Sequence, residues 1–83
     1  MDQIARTPLQ LGAVLRRRRK SLGLSQAELG QRISLRQASV SALEGAEADA
    51  KLSTLMDVLA VLSLELVVRP RSSVSEAEIE TMF

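Results

Sequence analysis

The chain has 83 residues, a formal net charge of +1, no cysteine and no histidine. These absences exclude disulfides, thiolate or imidazole metal ligands and a histidine base, so we expect no enzyme, no metal site and no cofactor. A chain this short forms one small domain with a limited core, which association with a second copy would extend.

Residues 1–7 are predicted to form an arm ahead of a first helix over about residues 8–22. Thr7 followed by Pro8 is an N-cap and first-turn signal, and Gly23 is a stop signal. The apolar face of this helix consists of leucines: Leu11, Leu15 and Leu22.

The basic run Arg16–Lys20 lies inside this predicted helix, so its five charges spread around the helix axis. Two interpretations stay open. The run is either a solvated face with one arginine paired internally, or a face from which one or two side chains touch phosphates. Arg19 is the predicted internal partner.

A second helix is predicted to begin at about Gln26. Ser25 and Glu28 have the spacing of a capping box, in which each side chain bonds a backbone amide near the other residue. The apolar stripe of this helix ends at position 33 and consists of four residues: Ala27, Leu29, Gly30 and Ile33.

A third helix is predicted over about residues 37–44. Residues 34–36 have no helical periodicity, Val40 and Leu43 resume an interval of three, and Gly45 follows as a stop signal. Two short helices joined by a tight turn are the layout of a helix-turn-helix that reads DNA.

Arg36 and Gln37 stand at the entrance of this third helix and are the predicted base readers. A guanidinium matches the acceptors of guanine in the major groove, and a carboxamide matches the acceptor and donor of adenine. Small side chains on the same exposed side permit close approach to bases: Ala38, Ser41 and Ala42.

Residues 45–51 are small and charged, and they are predicted to form a loop before a fourth helix over residues 52–62. Apolar side chains occupy nearly its full circumference, namely Leu52, Leu55, Met56, Val58, Leu59, Val61 and Leu62. Such a helix needs cover on most sides. We expect one side to pack on the reading helices and the other on a second subunit.

Residues 64–70 are rich in β-branched residues, end at Pro70 and are predicted to form a single strand. A lone strand leaves its backbone groups unpaired, so we expect it to pair with its copy in a homodimer. The predicted dimer interface comprises Leu59, Leu62, Leu64, Leu66, Val67 and Val68. The alternative is a short extended linker.

Residues 71–83 are predicted to be a flexible acidic tail. Ser75 and Glu78 have capping-box spacing, but the segment is too short to be an independently stable helix. Its apolar residues are Val74, Ile79, Met82 and Phe83. The tail is either featureless or a docking segment for a partner protein.

The charge divides between the two halves of the chain. Residues 1–44 hold eight Lys/Arg against three Asp/Glu, whereas residues 45–83 hold three against seven. The basic half contains the predicted reading helix, as attraction to phosphates requires. No secretory pattern and no apolar run of roughly 18 residues is present, which predicts a cytoplasmic protein without membrane contact.

The spacing of nine residues resembles the Cro/C1-type helix-turn-helix of the Xre family of bacterial and phage repressors: Gln26, Leu29, Gly30, Ile33, Leu35, Val40, Ser41, Leu43 and Glu44. With its flanking helices the resemblance covers roughly residues 8–64. The segments RQASVSALE and SLELVVRPR resemble the HipB-type antitoxins more closely than the phage repressors. The family usually has alanine at position 30 and glycine at position 34, where this chain has Gly30 and Ser34.

The resemblance implies a mainly α fold: a four- to five-helix, lambda-repressor-like domain over residues 8–63, plus one C-terminal strand that pairs across a homodimer. It also implies an ion pair between Arg19 and Glu44. Base contacts are implied for Arg36, Gln37, Ala38 and Ser41. Phosphate contacts are expected from Ser25, Gln26, Ser39 and Arg17.

The favoured function is a homodimeric transcriptional repressor on double-stranded DNA with an inverted-repeat operator. Resemblance to HipB-type antitoxins implies a further partner, a HipA-like serine/threonine kinase toxin, and repression of the chain's own operon. Two alternatives stay open. One is a stand-alone Xre-family repressor, and the other is an interaction module whose basic half binds an acidic protein or anionic lipid.

Overall fold

The computed structural model describes residues 2–71, which contain four helices: α1 (Pro8–Ser21), α2 (Gln26–Arg32), α3 (Gln37–Glu44) and α4 (Leu52–Val61). Each lies within one residue of its predicted bounds. The predictions for the acidic tail fall on residues 72–83, outside the described residues. No helix of the described part is long and apolar enough to cross a membrane.

The first two helices begin with the caps that the sequence predicts. The hydroxyl oxygen of Thr7 accepts a hydrogen bond from the Gln10 amide. At α2 the capping box is complete: Ser25 Oγ accepts from the Glu28 amide at 3.0 Å, and Glu28 Oε1 accepts from the Ser25 amide at 3.1 Å. The Ser25 amide, the Ser25 side chain and Arg32 together lower the pKa of the Glu28 carboxyl below its ordinary value of 4.5.

All four helices end in the same way, with one residue in the left-handed region. These residues are Gly23, Ser34, Ala46 and Ser63, with φ angles of 73°, 58°, 55° and 54°. The amide of the next residue then donates to the carbonyl five positions back, the bond of a Schellman motif. Gly45, the predicted stop signal of α3, has a φ of −92° and is therefore not the left-handed residue. The change to a left-handed backbone occurs one residue later, at Ala46.

Helix α3 packs on both α1 and α2, and α2 also contacts α4. The core between the four helices is formed by Leu15, Leu24, Leu29, Val40, Val58, Leu59 and Leu62. Arg18 Nε donates to the carbonyl of Leu62 at 2.8 Å and thereby ties the end of α4 to α1. The helices thus share one apolar centre.

Two glycines let backbones meet directly. A Cβ on Gly12 would overlap the carbonyl oxygen of Glu44 and lie 2.8 Å from the carbonyl carbon, so α1 touches the end of α3 there. A Cβ on Gly30 would overlap the carbonyl oxygen of Leu35. The turn after α2 therefore folds closely onto α2, and this explains why Gly30 replaces the alanine usual in the family.

Two residues of the predicted subunit interface, both on α4 or at its end, lie in the core of the chain. Leu59 is 5% exposed and Leu62 is fully buried, and both belong to the core of their own chain. Their side chains have no surface left for a second subunit. The apolar side chains that α4 does expose are Leu52 and Met56.

Residues 64–71 have no regular secondary structure in the described chain. Leu64 packs against the core, whereas Leu66, Val67 and Val68 are 53%, 68% and 89% exposed. A strand pairs with another strand, and residues 2–71 contain no strand for this segment to pair with. The strand and its pairing in a homodimer stay a prediction.

Candidate functional site

The N-terminal half of α3 is presented outward. Val40 is fully buried, which fixes α3 on the core, and Gln37, Ala38 and Ser39 are exposed. Because α3 has only eight residues, this one anchored face decides which side chains reach solvent. Ser41 is half-buried on the adjoining turn.

Arg19 and Glu44 form a buried ion pair that joins α1 to the end of α3. Arg19 Nε donates to Glu44 Oε2 at 2.6 Å, and Arg19 Nη2 donates to Glu44 Oε1 at 3.1 Å. Arg19 Nη1 also donates to the carbonyl of Leu24 at 2.7 Å. A two-pronged pair of this kind constrains direction as well as distance, so it holds α3 in one orientation.

Two glutamines continue the polar contacts from Glu44 to the surface. Gln26 Nε2 donates to Glu44 Oε1 at 3.2 Å, and Gln37 Nε2 donates to Gln26 Oε1 at 2.5 Å. The sequence predicts separate roles for these two glutamines and does not predict the bond between them. The signal was the presence of a glutamine at the first position of both α2 and α3.

The predicted phosphate-contact residues fall into two places. Ser25 and Gln26 lie at the start of α2, which the glutamine contact joins to the start of α3, and Ser39 is exposed on α3. Arg17 is different, since its Nη2 donates to Gln3 Oε1 of the N-terminal arm at 2.7 Å. Helix positions two apart project about 200° apart, so Arg17 points away from the side of α1 on which Arg19 meets α3.

Exposed basic side chains surround the start of α3. Arg36 is the N-cap residue of α3 and is exposed, and the first turn of α3 contains no acidic residue. Arg32, in the last turn of α2, is also exposed. Nearby cations and an uncompensated helix N-terminus attract anions, which is the electrostatic character that phosphate groups favour.

The family model for the helix-turn-helix domain matches residues 10–71. No curated protein gives a significant match. Among solved structures, the chain is similar to a HipB variant in an O2 20mer complex, with 28% identity, a TM-score of 0.78, and coverage of 87% of this chain and 100% of that one.

Two further solved structures are similar to the same extent. They are a HipB–O4 20mer complex and a HipA–HipB–O2–O3 complex, each with 27% identity and a TM-score of 0.77. In both cases the match covers 86% of this chain and 100% of the other. Each match therefore covers more than four-fifths of this chain and the whole of the other.

Proposed function

Because the chain belongs to the helix-turn-helix domain family, we propose that it is a sequence-specific DNA-binding repressor that acts as a homodimer. The observation that carries this proposal is the outward presentation of α3. Its exposed N-terminal residues are backed by a buried ion pair, in a fold that matches HipB in 20mer complexes. A rigid helix of this kind reads base edges in the major groove.

Base discrimination is assigned to the first residues of α3. Gln37 is exposed, and its oxygen and second amide hydrogen remain available to the acceptor and donor of an adenine. Arg36 beside it suits the two acceptors of guanine. Ala38 and Ser41 bring little bulk, so they permit close approach and contact a thymine methyl or a base edge.

Phosphate contacts are assigned to the start of α2 and to α3. The oxygen of Ser25 accepts from the Glu28 amide, which leaves its hydroxyl hydrogen for a phosphate. Gln26 has one amide hydrogen outside its two observed bonds, and Ser39 is exposed. Such contacts set the register of the protein on the duplex without reading sequence.

The homodimer is proposed to form through residues 64–70. Leu66, Val67 and Val68 are exposed apolar side chains, and the segment forms one wall of an open groove whose other wall is the N-terminal arm. Pairing with the same segment of a second copy would satisfy the backbone and cover the apolar side chains. Two copies of α3 would then meet half-sites about one DNA turn, or a multiple of it, apart.

A second part of the proposal concerns a toxin partner. The similar solved structures include a HipA–HipB–O2–O3 complex, in which HipB is found together with HipA. We assign to this chain the corresponding role of an antitoxin that binds a HipA-like serine/threonine kinase toxin and represses its own operon. Affinity capture from the native host, with the full chain and with a chain lacking residues 72–83, tests this role. Recovery of such a kinase supports it, and its absence from both captures indicates a stand-alone repressor.

The DNA-binding proposal is tested by Gln37→Ala. We expect a loss of about 1 to 3 kcal/mol on the selected operator, with relaxed preference at one base pair, because one bidentate contact disappears. The measurement is selection of bound sequences from random DNA, followed by titration of operator and unrelated duplexes.

Gln31→Ala is the matched control for that experiment, because it removes the same chemical group from an exposed position of α2. It should leave the selected sequence unchanged. Equal loss of affinity on operator and unrelated DNA for Gln37→Ala would refute the assignment of Gln37. An unchanged affinity on both would favour a protein- or lipid-binding module instead.

A further inference from the structure

Three side chains link the buried end of α3 to its exposed beginning. Gln26 Nε2 donates to Glu44 Oε1 at 3.2 Å, and Gln37 Nε2 donates to Gln26 Oε1 at 2.5 Å. We call Glu44, Gln26 and Gln37 the relay. It starts at a residue that is 6% exposed and ends at one that is exposed on the proposed DNA-reading surface.

The chemistry of Glu44 fixes the direction of every bond in the relay. A carboxylate accepts hydrogen bonds and donates none, so Gln26 must turn its nitrogen toward Glu44 and its oxygen away. That oxygen in turn accepts only from a nitrogen, so Gln37 must turn its own nitrogen toward Gln26. The orientation of a surface amide is thus decided by a buried group.

The reverse orientation is disfavoured by the same geometry. A flipped Gln26 would place its carbonyl oxygen against Glu44 Oε1 at about the present 3.2 Å, with no hydrogen between them. Glu44 cannot turn to relieve this contact, because Arg19 donates to both of its oxygens, at 2.6 and 3.1 Å. An unsatisfied polar contact next to a buried charge is costly.

We propose that Glu44 is a positioning residue that makes Gln37 prefer adenine over guanine. This inference rests on the proposed DNA-binding function. With one amide hydrogen engaged by Gln26, Gln37 presents an oxygen and one N–H to the groove. Adenine offers a matching acceptor and donor, whereas guanine offers two acceptors, one of which would face the oxygen of Gln37.

Substitutions of Gln26 test the inference because they change the direction of the relay and leave Arg19 and Glu44 in place. In Gln26→Lys the ammonium only donates, so it can bond Glu44 but forces Gln37 to turn its oxygen inward and both N–H groups outward. In Gln26→Met neither bond exists.

The readout is the affinity ratio for two duplexes that carry A·T or G·C at the base pair that Gln37→Ala identifies. The wild type should favour adenine roughly 10- to 100-fold. Gln26→Lys should shift this ratio toward guanine by at least about 10-fold, and Gln26→Met should bring it close to one.

Glu44→Gln examines the buried end directly. We expect its oxygen to keep the shorter bond, from Arg19 Nε at 2.6 Å, and its N–H₂ group to replace the oxygen that accepts from Arg19 Nη2 and Gln26. The longer Arg19 bond is then lost and the relay is reversed, so the ratio should again shift toward guanine. Thermal unfolding checks that each variant is folded. If Glu44→Gln does not fold, the Gln26 series carries the test by itself.

Failure of the proposed function and failure of this inference are distinguishable in these measurements. If the wild type selects no sequence, the proposed function is wrong. If Gln37→Ala changes no base preference, the assignment of Gln37 as a base reader is wrong and the inference falls with it. If the wild type selects an operator and Gln37→Ala relaxes one base pair, but Gln26→Lys and Gln26→Met retain the adenine preference, only the positioning role of Glu44 is overturned. A wild-type preference for a base other than adenine at that pair overturns it as well.

Discussion

The two ends of the described chain differ in what they bury. Residues 8–44 bury charged side chains, whereas residues 64–71 expose apolar ones. The first region buries an ion pair, Arg19 with Glu44, and satisfies it entirely within the chain. The second exposes Leu66, Val67 and Val68 and forms no regular structure of its own. The polar groups of the first region are paired within the chain, whereas the apolar side chains of the second are left exposed.

From this difference we expect that the stability of the four-helix core and the proposed assembly through residues 64–70 can be changed separately. In the described residues, no buried side-chain polar atom lacks a hydrogen-bond partner. The four-helix core should therefore tolerate changes in residues 64–71 and respond strongly to changes in its buried polar groups. The substitutions below examine this separation and the contributions to stability within the core.

Arg19→Met should have the largest effect, a loss of about 3 to 5 kcal/mol in the free energy of unfolding, because it leaves the Glu44 carboxylate buried without its cationic partner. Urea unfolding followed by circular dichroism measures the loss. The double variant Arg19→Met, Glu44→Leu removes both charges and should recover most of it. A loss below about 1 kcal/mol in the single variant would show that water reaches the pair.

Leu66→Asp should act on assembly alone. Leu66 is 53% exposed, so the unfolding free energy of the single chain should change by less than about 0.5 kcal/mol. The dissociation constant of the dimer, measured by sedimentation equilibrium, should rise at least about 10-fold, because the substitution places a charge in the proposed strand interface.

Leu52→Asp is the control for that prediction, because Leu52 is equally apolar and 69% exposed but lies on α4, away from residues 64–70. It should leave the dimer intact. Loss of the dimer in Leu52→Asp with no change in Leu66→Asp would move the interface to the outer face of α4.

Ser34→Gly should stabilise the domain by about 1 kcal/mol, because Ser34 has a φ of 58°, which glycine adopts without steric cost. Ser63→Gly, at the junction with residues 64–71, should give a similar gain. Thermal unfolding measures both. Ser53→Gly, inside α4, is the control and should destabilise the domain, because glycine disfavours the helix. If all three glycine variants stabilise the domain, the gain does not come from the left-handed backbone.

Glu28→Gln should have the smallest effect and only on pH dependence. Because the folded-state pKa of Glu28 is lowered, its charge stabilises the fold above about pH 4.5, and this contribution is lost as the pH falls through the lowered pKa. Glutamine can still accept a hydrogen bond from the Ser25 amide, so the Glu28→Gln protein should be only slightly less stable at pH 7. Its stability should also fall less steeply as the pH is lowered. Melting temperatures from pH 2 to pH 7 test this, and parallel curves for both proteins would contradict it.

The helix boundaries could be predicted because they depend on local chemistry. Thr7 and Ser25 cap the helices that follow them, and the apolar intervals give the direction of each face. The left-handed ends were harder to predict, since Ser34, Ala46 and Ser63 are not residues that usually signal them. After Ser34 and Ser63 the next residue is a leucine, Leu35 or Leu64, that packs against the core, and this contact favours the left-handed conformation.

The polar site was predictable residue by residue but not as a connected unit. Family resemblance pointed to Gln26, Gln37 and Glu44 singly, whereas their mutual bonds depend on how α2 crosses α3. The burial of Leu59 and Leu62 in the core of their own chain was not predicted, for a related reason. The sequence pattern shows that apolar side chains surround α4, but it does not show how much of the apolar surface of α4 the other helices of the same chain cover.

The contact at Gly12 has a consequence for how the reading surface tolerates sequence change. There the backbone of α1 rests directly on the last carbonyl of α3, with no side chain between them. Most helix crossings shift when core residues change size, because side chains act as spacers. Here the spacer is absent, so exchanges such as Val58→Ile should alter melting temperature while the angle between α1 and α3, and with it the footprint on a duplex, stays the same.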